Sequence, residues 1–77
     1  MTPKAKAESL SYYYWNLLEP YIKDEQERGR LSVKCAIIAV EEAINALPKT
    51  ISVKGVPYHN STLEYYNNVL IELKLMQ

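Results

Sequence analysis

The sequence predicts an all-α fold of three helices, at about 3–18, 24–47 and 62–75, with a long loop at 48–60. Three observations predict it. Apolar residues recur at steps of three and four in three separate stretches, one stripe per helix. Helix start and stop signals bound those stretches. The aromatic and apolar content exceeds what one small core can hide, so the helices are expected to assemble as a symmetric homo-oligomer.

The first helix opens on Thr2-Pro3. Thr caps orphan N–H groups, and Pro fits the first helical position because no donor is needed there. Ala7, Leu10, Tyr14, Leu17 and Tyr21 then form one apolar stripe. Pro20 disfavours helix at Glu19, which stops the element near Leu18. Residues 23–31 are highly charged, and two readings compete: a loop turning at Gly29, or the first turns of the second helix. The helix from about Asp24 is the favoured one, although Gly29 costs about 1 kcal/mol against Ala in a helix interior.

The second helix is strongest from Leu31 to Leu47. Val33, Ala36, Ile37, Val40, Ile44 and Leu47 share one face, and Leu31, Cys35, Ile38 and Ala46 populate another. A helix apolar over so much of its girth is covered from more than one side. Pro48 ends it. The connector 48–60 holds two prolines and a glycine, which exclude helix. Ile51, Val53 and Lys54-Gly55 hint at a short extended piece and a turn. A connector this long in so small a domain is often functional. Ser61-Thr62-Leu63-Glu64 reads as a capping box, with Ser61 at N-cap. Leu63, Tyr66, Leu70 and Leu73 mark the core face of the third helix.

The chain has 77 residues, nine basic and nine acidic side chains, and no net charge. That length supports a single domain, 1–77, with a marginal core of its own. Neutral charge argues against a nucleic-acid polymer as partner. The N-terminal residues lack the apolar core of a signal peptide. The longest apolar run, Cys35 to Val40, is far short of a bilayer span. The single cysteine forms no internal disulfide or thiolate cluster, and the simplest compartment is a reducing cytoplasm.

Three stretches carry a resemblance: Thr2-Pro3-Lys4-x-Lys6-Ala7, Lys34-Cys35-Ala36-Ile37-Ile38-Ala39-Val40-Glu41-Glu42-Ala43-Ile44 and Tyr65-Tyr66-Asn67-Asn68-Val69-Leu70-Ile71-Glu72-Leu73. Together they resemble a group of small uncharacterised proteins encoded by bacteriophages and related mobile elements. The match covers roughly half of the chain and is a packing pattern without a catalytic signature. Those proteins more often carry Trp where Tyr66 stands, and they vary in the segments equivalent to 11–31 and 48–60. The resemblance implies a helical fold and a phage origin, hence a host-cell cytoplasm. In size and class alone, the chain is also similar to phage anti-defence sponges, which sequester cyclic nucleotide immune messengers.

Three groups of residues are candidates for ligand binding. Tyr12-Tyr13-Tyr14-Trp15 spans about 300° of a helix, more than one partner helix covers. Tyr14 belongs to the core stripe. Tyr12, Tyr13 and Trp15 are left for a subunit interface or for stacking on a base. Arg28, Arg30 and Lys34 form the densest basic patch and suit phosphates, although Asp24, Glu25 and Glu27 interleave with them. Tyr58, His59 and Asn60 precede a helix start and could close over a nucleotide.

No metal site is expected, since His59 has no second His or Cys nearby. No cofactor is expected either, because no phosphate loop or dinucleotide fingerprint is present. Cys35 reads as a buried small hydrophobe, with no adjacent base to make it a nucleophile. Glu41 and Glu42 are adjacent, so they diverge by about 100° on a helix and share no site. A non-enzymatic sponge for a cyclic nucleotide is therefore the leading expectation. A protein–protein adaptor or inhibitor that docks on a host protein through its aromatic surface is the alternative.

Overall fold

Thr2 accepts a hydrogen bond at Oγ1 from the Ala5 N–H at 3.1 Å, and with Pro3 behind it this cap starts helix α1, Pro3–Leu18. The computed structural model describes residues 1–77. Pro20 ends α1 where the sequence places the stop. Asp24 then caps α2, Glu25–Ala46, by accepting from the Glu27 N–H at 3.0 Å. The charged stretch 25–31 is thus helix, with Gly29 inside it. Pro48 closes α2, and α3 runs over Ser61–Leu75.

The three helices pack on one another around Ala7, Ala36, Ile37, Val40, Val69 and Leu73. Leu10, Tyr14, Val33, Ile44, Tyr65, Tyr66 and Leu70 pack partly buried against that cluster. Small side chains from α1 and α2 let the helices approach closely, and Leu73 fills the space between them. Tyr65 ties α3 to the start of α1 by donating its hydroxyl to the Met1 carbonyl at 2.9 Å.

Four features differ from the sequence reading. The connector is not a loop. It is a β-hairpin of β1, Thr50–Val53, and β2, Val56–His59, paired antiparallel with Ile51 opposite Tyr58 and Val53 opposite Val56. Lys54 and Gly55 form its two-residue turn, both at positive φ, 53° and 80°. That pair of angles is the I′ turn, whose twist matches the flanking strands.

The cap of α3 is Asn60, not Ser61. Its Oδ1 accepts from Thr62 N–H at 3.1 Å and Leu63 N–H at 3.4 Å. Asn reaches both donors and also donates through Nδ2 to the Pro48 carbonyl at 2.7 Å, which a serine hydroxyl could not combine. Leu17 and Tyr21 continue the α1 stripe but are exposed, because the core cluster draws on α1 no further along than Tyr14. Cys35 is half-buried rather than buried.

The molecule is long, 53 × 18 × 17 Å, with a radius of gyration of 15.0 Å. Helix α2, with 22 residues, gives about 33 Å of that length, and the hairpin follows its C-terminal end.

Candidate functional site: a groove at the end of the third helix

Helix α3 ends at Leu75, and the Met76 and Gln77 that follow it lie against the N-terminal half of α2. Three surface cavities meet there. One, of about 460 Å³, lies between Gly29, Arg30, Val33 and Lys34 of α2 and the two last residues. A second is lined by Glu8, Ser11, Tyr12 and Trp15 of α1 and by Gly29, Ser32 and Val33 of α2. A third includes Lys4, Glu8 and Met76. The three adjoin one another, and this row of cavities is the groove: Gly29 and Val33 border two of them, as do Glu8 and Met76.

The groove joins two of the three predicted groups. Tyr12 and Trp15 line the second cavity, Arg30 and Lys34 line the first, and Gly29 and Val33 lie between the two. Helical spacing explains both. Residues 8, 11, 12 and 15 share one side of α1, and residues 29, 30, 33 and 34 share one side of α2. Tyr13 is outside the groove, edge-on to Tyr14 with ring centroids 5.2 Å apart.

The basic residues have different fates. Arg28 is buried, and its guanidinium lies over the Trp15 ring, 3.9 Å from the centroid. Its Nη1 donates to the Ile22 carbonyl at 3.2 Å, and its Nε has no partner. It is therefore a clamp between the α1–α2 turn and Trp15, not a free phosphate ligand. It also occupies one face of Trp15, leaving Tyr12 as the aromatic of the groove without a cation on its face. Arg30 is exposed and paired with Glu27 at 2.6 Å, and that hydrogen bond raises its pKa further, so its charge is constant at any working pH. Lys34 has no ion-pair partner.

Gly29, like Val33, Glu8 and Met76, lines the groove without having been among the predicted site residues. It was legible only as an oddity, a glycine inside a helix. A Cβ at this position would meet the Trp15 ring at 3.5 Å, which is ordinary contact. The chain does not need glycine here for packing or for a positive φ. Its lack of a side chain leaves open the space beside the Trp15 ring.

The third predicted group is elsewhere. Tyr58, His59 and Asn60 lie beyond the C-terminal end of α2, and 16 residues of helix place Arg30 about 24 Å from Ala46. Asn60 is buried and fully used as cap and staple. His59 is exposed and faces Glu64 at 3.4 Å. Within one chain these residues do not reach the groove. Cys35 and His59 lie on elements that make no contact.

No protein-family model, curated protein or solved structure matches the chain. No helix is long and apolar enough to cross a membrane. No group of three His, Cys, Asp or Glu side chains is placed to hold a metal ion.

Proposed function

We propose that this chain is a phage-type binding protein that works as a homo-oligomer in the host cytoplasm and holds a cyclic nucleotide messenger without cleaving it. The groove beneath Met76 is its capture site. One observation carries this reading: the cavity lined by Tyr12 adjoins the cavity lined by Arg30 and Lys34, across Gly29 and Val33. A base stacks on Tyr12, since every base offers a π-face. Lys34 and Arg30 face its phosphates. Glu8 and Glu27 keep the rim near neutral, so the ring contributes more to affinity than charge does. Gly29 leaves room for the ligand against α2.

The test is a thermal-shift and calorimetric screen with cyclic di- and trinucleotides and cyclic ADP-ribose isomers, followed by recovery of the ligand after heat denaturation. Intact ligand is expected. Tyr12→Ala weakens binding about ten- to hundredfold, as stacking worth about 1–3 kcal/mol implies. Absence of heat with every messenger overturns the reading, and recovery of an altered ligand makes the protein an enzyme instead.

A second reading has its own observation. Tyr13, Leu17 and Tyr21 of the α1 side are exposed outside the groove. Aromatics with a polar tip are favoured at protein interfaces. On this reading the chain is an adaptor or inhibitor of a host protein. Tyr13→Ala separates the two: it leaves nucleotide binding intact and weakens only a protein complex.

A further inference from the structure

The cavity beside Tyr12 offers acceptors far more than donors. Glu8 lines it together with Ser11, Tyr12 and Trp15 of α1 and Ser32 of α2, around a space of about 320 Å³. That is within the size of small-ligand sites, about 300–1,000 Å³. Both serine protons are already used. Ser11 Oγ donates to the Glu8 carbonyl at 3.0 Å, and Ser32 Oγ donates to the Gly29 carbonyl at 2.9 Å. What the hydroxyls have left is lone pairs. An ionised carboxylate such as Glu8 accepts and never donates. The side-chain donors that remain here, the Tyr12 phenol and the Trp15 indole N–H, belong to the rings themselves.

Glu8 is exposed and has no ion-pair partner. Lys4 and Glu72 line the next cavity with it, and Lys4 does not pair with it. Glu8 and Tyr12 are four residues apart, which sets them one above the other on the same side of α1. A base stacked on the Tyr12 ring therefore turns an edge towards the carboxylate.

The bases differ in what that edge offers an acceptor. Guanine carries its N1–H and its N2 amino group side by side, two donors that a carboxylate accepts in parallel, as it does from a guanidinium. Adenine and cytosine each set one amino donor beside a ring-nitrogen acceptor, which repels the second carboxylate oxygen. Uracil sets one N–H between two carbonyls. Guanine alone satisfies both oxygens at once.

We propose that Glu8 reads the base in this groove, and that the messenger held here carries guanine. This rests on the nucleotide reading above and names its ligand class. The stacked base gives its N1–H and N2–H to Glu8, and its phosphate lies across Gly29 and Val33, towards Arg30 and Lys34. Tyr12 by itself takes any base, because stacking is sequence-tolerant. The carboxylate supplies the choice.

Calorimetry of the whole chain with cyclic di-GMP, cyclic di-AMP, cyclic di-UMP and cyclic di-IMP tests it. Hypoxanthine keeps N1–H and lacks the N2 amino group, so it isolates the second hydrogen bond. The guanine compound binds about tenfold or more tighter than the adenine one, as a charge-assisted hydrogen bond implies, and the hypoxanthine compound lies between them. Glu8→Gln replaces one acceptor by a donor. It abolishes the guanine preference and raises adenine affinity, since an amide matches a donor-acceptor edge. Glu41→Gln removes the same charge outside the groove and keeps the preference.

Equal binding of the four compounds overturns the role of Glu8 and leaves the nucleotide reading standing. Tightest binding of the adenine or uracil compound does the same. So does a guanine preference that survives Glu8→Gln, or one that Glu41→Gln also removes. The order of the four compounds is read on the wild type, so it decides the matter whether or not a variant folds. Absence of heat with every compound overturns the nucleotide reading, and the assignment of Glu8 falls with it.

Discussion

The two ends of α2 are held together in opposite ways. Near its N-terminus, Arg28 lies over Trp15 from another helix and bonds the carbonyl of Ile22 in the turn between them. Near its C-terminus, the hairpin depends on its own ladder, one I′ turn, Asn60 and the exposed His59–Glu64 contact. The first end is fixed by contacts between distant residues and the second by contacts between near ones. The difference teaches where a small chain places its polar chemistry. A buried arginine locks the helices, while the apolar face of the hairpin is left uncovered.

The largest effect comes from the core that both ends share. Leu73→Ala removes the largest fully buried side chain and destabilises by about 2–5 kcal/mol, enough to unfold much of a marginal domain. Thermal melts followed by circular dichroism show it. Next is the arginine clamp. Arg28→Ala loses a cation–π contact and a charged hydrogen bond, about 2–3 kcal/mol in all, and lowers Tm by roughly 10–20 °C. Arg30→Ala, two residues on and exposed, stays within about 0.5 kcal/mol of wild type. Equal effects from the two would erase the contrast.

Asn60→Ala costs about 1–2 kcal/mol, through the cap of α3 and the bond to Pro48. Asn60→Asp keeps the cap acceptor and loses only the donor, so its loss is smaller. Gly29→Ala has the opposite sign. It raises stability by about 0.5–1 kcal/mol, because a Cβ fits and glycine is disfavoured in a helix. The same variant lowers nucleotide affinity in calorimetry, since the methyl group enters the groove. The smallest global effect is Gly55→Ala. Its φ of 80° strains any other residue, yet the damage stays in the hairpin. Amide signals of β1 and β2 shift, while the helical melt moves by less than about 0.5 kcal/mol. A large drop in that melt would show that the hairpin is coupled to the helices after all.

The helices were legible because their boundaries are local chemistry. Thr2-Pro3, Pro20, Asp24 and Pro48 each act within a turn of themselves, and the ends fall where they place them. The hairpin was legible only as a hint. Its turn is Lys-Gly rather than the Asn-Gly that signals type I′, and Pro57 demotes a strand on sequence grounds. Pro57 is tolerated because the pair flanking a two-residue turn is the hydrogen-bonded one. That makes Ser52–Pro57 a non-bonded pair, with the proline nitrogen at the open edge.

The candidate site was legible in part. Helical spacing put Tyr12 beside Trp15, and Arg30 beside Lys34, but it could not show that the two pairs line adjoining cavities. It also could not separate Arg28 from Arg30. Only the tertiary position of Trp15 buries one and leaves the other in water. The sequence grouped Tyr58, His59 and Asn60 by proximity, and that grouping carried no information about distance from the groove.

The Asn60 staple has a consequence for how the chain folds. The amide of Asn60 bonds Pro48, and its backbone N–H bonds the Lys49 carbonyl at 3.2 Å, so the connector is pinched shut at its base. A hairpin forms in microseconds, long before distant helices need to meet. Once it has closed, α2 and α3 are joined by the equivalent of three residues, Leu47, Pro48 and Asn60, instead of the fourteen of 47–60. The entropy of bringing those helices together falls by roughly 1.5 kcal/mol on a logarithmic loop-length scale. The hairpin thus speeds the docking of a core that it never touches, and Asn60→Ala should slow refolding by more than it speeds unfolding.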